Sequence, residues 1–324
     1  MTTKYWDGST DGDLNTAANW TPSGVPEAAD ALVFDGRTTQ DVDGGLDTFA
    51  TIDLGSVTIE SGYTGDIGAV DGPMEFECAG TVYVAGTGTY YLQCDAGADV
   101  NADIVKCIIN STGSVYLSSQ ANDDSNSAVW TEVQVLAGTV YIQGDSESSD
   151  HGGDSGCAIT TLKVTPVGNC TVRIGDKCVN FLSTDTPMNV IMSGGTLTSS
   201  SALGVVQLFG GILNFGSATI DMATGDDDIT TLTMSGGTFN FIPQATTGTV
   251  LSATPTITNL NVIGGTFCAT SCKDTASSDP TFTTVWQYGG IVDLRNVFAN
   301  FAVTTYHAEG GSLHYSPGQV LTLS

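Results

Sequence analysis

Between Pro187 and Pro317 apolar and polar residues alternate on both sides of a paired glycine. The arrangement occurs six times, at Gly194-Gly195, Gly210-Gly211, Gly236-Gly237, Gly264-Gly265, Gly289-Gly290 and Gly310-Gly311. Four residues before each first glycine stand Val190, Val206, Leu232, Leu260, Val285 and Tyr306; two before stand Met192, Leu208, Met234, Val262, Gln287 and Ala308. Three after come Leu197, Leu213, Phe239, Phe267, Val292 and Leu313, and five after come Ser199, Phe215, Phe241, Ala269, Leu294 and Tyr315. Ser199 and Gln287 break an otherwise apolar pattern, and the two tyrosines suit half-buried places. A period of two predicts β-strands with one buried face. Glycine permits the positive φ or tight bend that joins two strands sharing that face.

A strand, Gly-Gly, strand unit can be a hairpin of a meander or sandwich, or one corner of a β-solenoid coil. Two features favour the solenoid. Successive pairs are 16, 26, 28, 25 and 21 residues apart, as coils with variable loops would be, and like residues recur at like positions, so each can stack on its counterpart one coil away. The same columns extend towards the N-terminus. In Val133–Ile142 the residues Val133, Val135, Val140 and Ile142 fall into them, with Ala137 in place of the first glycine. Looser versions surround Gly113, and Gly86 with Gly88. The expected fold is all-β: a single-stranded, right-handed parallel β-helix over residues 51–324, behind an N-terminal cap over residues 1–50.

The cap expectation rests on a change of pattern. Tyr5, Trp6, Trp20, Pro22 and Pro26 precede the apolar run Ala31–Phe34, without the glycine-pair period. Solenoid ends expose strand edges and must be covered. Polar insertions are expected at 118–127 and 143–156, and loops leaving a rigid scaffold often carry its contacts.

Composition agrees with a chain almost free of helix: 40 glycines, and 28 Asp against 7 Glu. Asp serves turns, whereas Glu serves helices. The formal net charge of −27 reflects a shortage of bases, since only eight Lys and Arg are present. Nucleic acid and anionic membranes are therefore excluded as expected partners, because both need a clustered basic face. The N-terminus has neither the basic start nor the apolar run of a signal peptide, and no stretch has the length and apolarity of a transmembrane helix. Eight cysteines form no CxxC pair and read as small buried hydrophobes of a reduced protein, with a Cys268–Cys272 bridge as the alternative.

Residues capable of chemistry are present without a motif. The loop at 143–156 offers Asp145, Glu147, Asp150, His151 and Asp154 as oxygen-rich ligands for a divalent cation such as Ca²⁺, but not the EF-hand spacing. The expectation is a solvated loop and no cofactor; the run Asp226-Asp227-Asp228 reads as a turn. Asp185, Asp221 and Asp293 are the outward carboxylates a glycosidase would need in a pair. With so many aspartates such pairs arise by chance, so no catalytic, cofactor or metal residue is assigned. His307 and His314 alternate with column residues and should point outward. Trp130 and Trp286 are candidate sugar platforms, or else packing and intersubunit residues.

Two resemblances follow from these stretches. Asn19–Pro26 followed by Asp30–Phe34 resembles the lead-in to β-helical stretches in autotransporter-like surface proteins. The Gly-Gly-Thr-Leu/Phe repeats, with the short cap, resemble the β-helical virion proteins of tailed bacteriophages. That resemblance implies a virion protein assembled in the host cytoplasm, contacting the major capsid protein or other virion proteins as a homo-oligomer such as a trimer. Within it a capsid decoration or cement protein is expected, with a tailspike or fibre acting on a host polysaccharide, or a surface adhesin, as alternatives.

Overall fold

The computed structural model describes residues 1–70, 72–94, 103–119, 121–122, 126–127, 129–142, 157–175, 188–199, 203–215, 228–241, 256–270, 281–296 and 302–315. These are nearly all strand, paired in parallel and stacked as a β-solenoid, with one short 3₁₀ turn at Ala17–Asn19. Two compact units are formed, the first mainly by Met1–Lys163 and the second mainly by Thr186–Ser324.

In the second unit the glycine pairs are solenoid corners, because the strands on either side pair with other coils and not with each other. Val190 lies beside Val206, then Leu232, Leu260, Val285 and Tyr306, and Met192 beside Leu208, Met234, Val262, Gln287 and Ala308. Across the corner, Leu197 stacks on Leu213, Phe239, Phe267, Val292 and Leu313 in the same way. All members of these columns are buried as far as Val292. The two polar residues keep the register: Ser199 and Gln287 are as buried as their apolar neighbours. Gln287 is accommodated because its amide donates to the Ser312 carbonyl at 3.1 Å and accepts from the Tyr306 hydroxyl. The last described coil departs from the pattern. Tyr306 and Leu313 are half-buried, but Ala308 and Tyr315 are exposed.

The two glycines of a pair have different reasons to be glycine. The second has φ between +67° and +85° in all six corners, a region costly for residues with a Cβ. The first is crowded by the coil before it: a Cβ on Gly264 would stand 2.6 Å from the Ser235 carbonyl oxygen. Stacking continues round the bend through backbone bonds such as Ile263 N–H to Met234 O at 2.8 Å and Thr266 N–H to Gly237 O at 2.9 Å. The corner is thus part of the ladder.

In the first unit parallel stacking begins inside residues 1–50. Trp6 pairs with Phe34, followed in register by Ile59, Val84, Ile109 and Val135. The strand Trp20–Thr21 lies antiparallel across Thr3–Trp6 and covers its other edge. Beneath it sits an aromatic plug: Trp6, Trp20, Phe34, Phe49 and Tyr63 are fully buried or nearly so, with Trp6 and Trp20 centroids 5.2 Å apart. Lys4 occupies an inward place in the neighbouring column, and its ammonium donates to the carbonyls of Pro22, Ser23 and Gly24 at 3.0–3.3 Å. A buried charge needs such partners.

Three local expectations are corrected. Ser118 and Ser119 belong to the strand Lys106–Ser119, where Ser118 Oγ donates to Gln93 Oε1 and Ser119 is buried; beyond them Ala121–Asn122 pairs antiparallel with Asn126–Ser127. Asp228 opens the strand Asp228–Met234 and is not in a turn, since the ladder to Thr256 already starts there. Trp130 is fully buried, its ring edge-on to Phe76 and its indole N–H bonded to Ser118 O, so it presents no face to a sugar.

Candidate functional site on the outer faces

With the core closed by columns, any function falls to outward residues, and these too form columns. In the first unit Tyr91, Tyr116 and Tyr141 stack with centroids 4.4 and 4.5 Å apart and planes within 13°. Both faces of the Tyr116 ring are covered by its neighbours. Before the corner, Glu132 lies between Lys106 and Lys163, accepting an ion pair from Lys106 at 3.2 Å and a shorter one from Lys163. The Lys163 hydrogen bond, more than any other favourable contact, holds the Glu132 carboxyl below the usual range, against a smaller opposing effect of burial.

The second unit carries one outward column with reactive residue types: Asn214, Asn240, Cys268, Asp293 and His314 in successive coils. Asn240 donates its amide to Asn214 Oδ1 at 2.8 Å. Asp293, the sequence candidate that falls on described residues, is held by Arg295, whose Nε donates to Oδ1 at 2.8 Å. That bond is the chief cause lowering the Asp293 pKa. A glycosidase general acid needs the opposite shift, and its column neighbours are a thiol and an imidazole, not a second carboxylate. The Cys268 thiol is raised, first by burial and then by Asp293, which opposes the thiolate a nucleophile requires. His314 Nδ1 is buried without a hydrogen-bond partner. The column therefore has the residue types of an active site, with Asp293 and Cys268 shifted away from the acid and nucleophile roles.

Cys268 is in no disulfide, and neither are the buried Cys78, Cys94, Cys107, Cys157 and Cys170. Burial pushes the Cys78 thiol up to about 11. Among the described residues no three His, Cys, Asp or Glu side chains are placed to hold a metal ion. The loop carrying Asp145, Glu147, Asp150, His151 and Asp154, and also Asp185, Asp221, Asp226, Asp227 and Cys272, lie outside the described residues.

Trp286 and His307 face outward as expected, stacked with centroids 3.9 Å apart, and Trp286 is parallel to Tyr288 at 6.0 Å. Along the glycine corner runs a further column, missed by a reading confined to buried positions: Ser193, Phe209, Ser235, Ile263, Tyr288 and Glu309, each just before a glycine pair and each exposed. Phe209, Ile263 and Tyr288 are 55%, 53% and 47% exposed. The missed signal was the apolar residue at an out-of-phase position.

Compared with known proteins, the chain matches no family model, no curated protein and no solved structure.

Proposed function

We propose that this chain is a structural protein of a virion, a decoration or cement protein that stiffens the shell by bridging capsid subunits. The observation that carries the reading is the use made of outward residues. The tyrosine stack, the Asn214–Asn240 amide pair and the Lys106–Glu132–Lys163 column each spend polar or aromatic groups on the neighbouring coil. Such ladders add lateral stiffness to a scaffold whose backbone is already bonded coil to coil. A rigid body that binds the assembled shell and not its separated subunits stabilises the shell by mass action.

A second reading, a tailspike or fibre binding a host polysaccharide, is favoured by the outward Trp286, Tyr288 and His307 group. Cryo-electron microscopy of the phage particle separates the two. Density bridging capsid subunits supports the cement reading. Density at the tail, or purified particles without this chain, overturns it, and saccharide binding abolished by Trp286→Ala would then support the second.

A further inference from the structure

The corner column of the second unit combines three properties. It is apolar and exposed at Phe209, Ile263 and Tyr288, and Ile212, on the other side of the bend, is 43% exposed. From Ser193 to Ile263 it is also uncharged. From Ile191 to Cys268 the outward columns flanking the corner are Ile191, Gln207, Thr233 and Asn261 on one side, and Thr196, Ile212, Thr238 and Thr266, then Thr198, Asn214, Asn240 and Cys268, on the other. None is an acid or a base, in a chain of net charge −27. Finally, it is notched: Ser193 and Ser235 alternate with Phe209 and Ile263 along coils about 4.8 Å apart, and the glycine pairs beside them carry no side chain to hold a partner off.

We propose that this corner is the surface through which two copies of the chain associate. The charge distribution selects the occupant. A basic partner finds no carboxylate here to pair with, and a polyanion is repelled by the chain as a whole. A second copy presents the same coil repeat, so an antiparallel neighbour displaced by one coil sets each Phe209 and Ile263 against a serine notch. The contact is isologous, as a twofold dimer requires. Two chains of charge −27 can approach only where charge is locally absent, so added salt strengthens this association by screening the remainder; an interface built on ion pairs would weaken. The inference does not depend on the virion reading.

Sedimentation velocity of the full chain over a concentration series, at low and high salt, tests it. The wild type is expected to pass from monomer to dimer as concentration rises, at lower concentration in high salt. Phe209→Ser with Ile263→Ser should weaken the dimer at least about tenfold, with circular dichroism and urea midpoint unchanged because both side chains point to solvent. Ser235→Asp should weaken it at low salt and recover in high salt. Val105→Ser, at an exposed apolar residue of the first unit, should leave it intact. A wild type monomeric throughout, or a dimer indifferent to the Phe209 and Ile263 substitutions, overturns the proposal. Particle binding by a monomer would remove this inference and leave the cement reading standing; a dimer that binds no particle would do the reverse.

Discussion

The two units turn their coils by different means. In the second, the described corners from Ser193 to Thr266 are closed by backbone alone: a glycine pair, a positive φ, and a ladder of carbonyls running through the bend. In the first, side chains close the corners between Asp41 and Gly113. Ser111 Oγ donates to Gly86 O at 2.6 Å and accepts from Gly113 N–H, the Tyr90 hydroxyl accepts from Gly88 N–H, and the carboxylates of Asp41 and Asp66 accept from the N–H groups of Asp66 and Thr89 one coil on. One solution requires the absence of a side chain, the other a particular one. Substitutions should therefore damage the units in opposite ways.

The aromatic plug should show the largest effect. Trp20 is buried against Trp6, Phe34 and Phe49, and its indole N–H donates to Leu14 O at 2.9 Å. Trp20→Ala should cost about 3–5 kcal/mol in a urea titration, as truncation of a buried aromatic does, and Trp20→Phe clearly less.

Glycine substitutions sharpen the comparison. At Gly265 an alanine would adopt φ near +81° with its Cβ 2.6 Å from Gly237 O, so strain and overpacking together should cost about 2–4 kcal/mol. At Gly168, described with the first unit, the added Cβ meets only the Ala137 Cβ at 3.6 Å, and the urea midpoint should correspond to a change within about 0.5 kcal/mol. Equal costs at the two positions would mean that the corner carbonyls yield. Ser111→Ala tests the other solution: it strips the Gly86 carbonyl and the Gly113 amide of a buried partner and should cost about 1–3 kcal/mol. Ser235→Ala, at an exposed corner serine of the second unit, should cost little.

This contrast also explains what the sequence made legible. Corners closed by backbone repeat the same two letters, so Gly-Gly and its columns revealed both strands and register in the second unit, and even Ser199 and Gln287 stayed in phase. Corners closed by side chains use serine, tyrosine and aspartate in turn, with nothing common to align. Trp6 and Phe34 therefore went unrecognised as a continuation of the column that holds Ile109 and Val135. Trp130 misled for a related reason: its bond to Ser118 O comes from a strand continuing through residues read as an insertion. The outward columns were legible only in part, because exposure at Phe209 and Ile263 follows from a bend that period-two alternation cannot locate.

The smallest effect concerns charge. Among the described residues basic groups pair with acids at Asp35–Arg37, Asp293–Arg295 and Glu132 with its two lysines; 35 acids against eight bases leave most carboxylates repelling one another. Yet the carboxyls of Asp7, Asp11, Asp30, Glu132 and Asp293 are all lowered in the fold, so acidification through the carboxylate range should cost stability despite the repulsion it relieves. Glu132 isolates this effect in one pair of contacts. Its folded pKa is depressed by Lys163 and Lys106, so its contribution is present above its unfolded pKa and lost as pH falls through the folded one. In urea titrations, Glu132→Gln should be less stable than wild type by about 0.5–1 kcal/mol at pH 7 and low salt. The gap should hold down to about pH 5, narrow below the unfolded carboxylate pKa of about 4.3, and shrink with salt at every pH where it exists. A gap that widened with acid would show that Glu132 is strained by its place between the lysines and not stabilised by it.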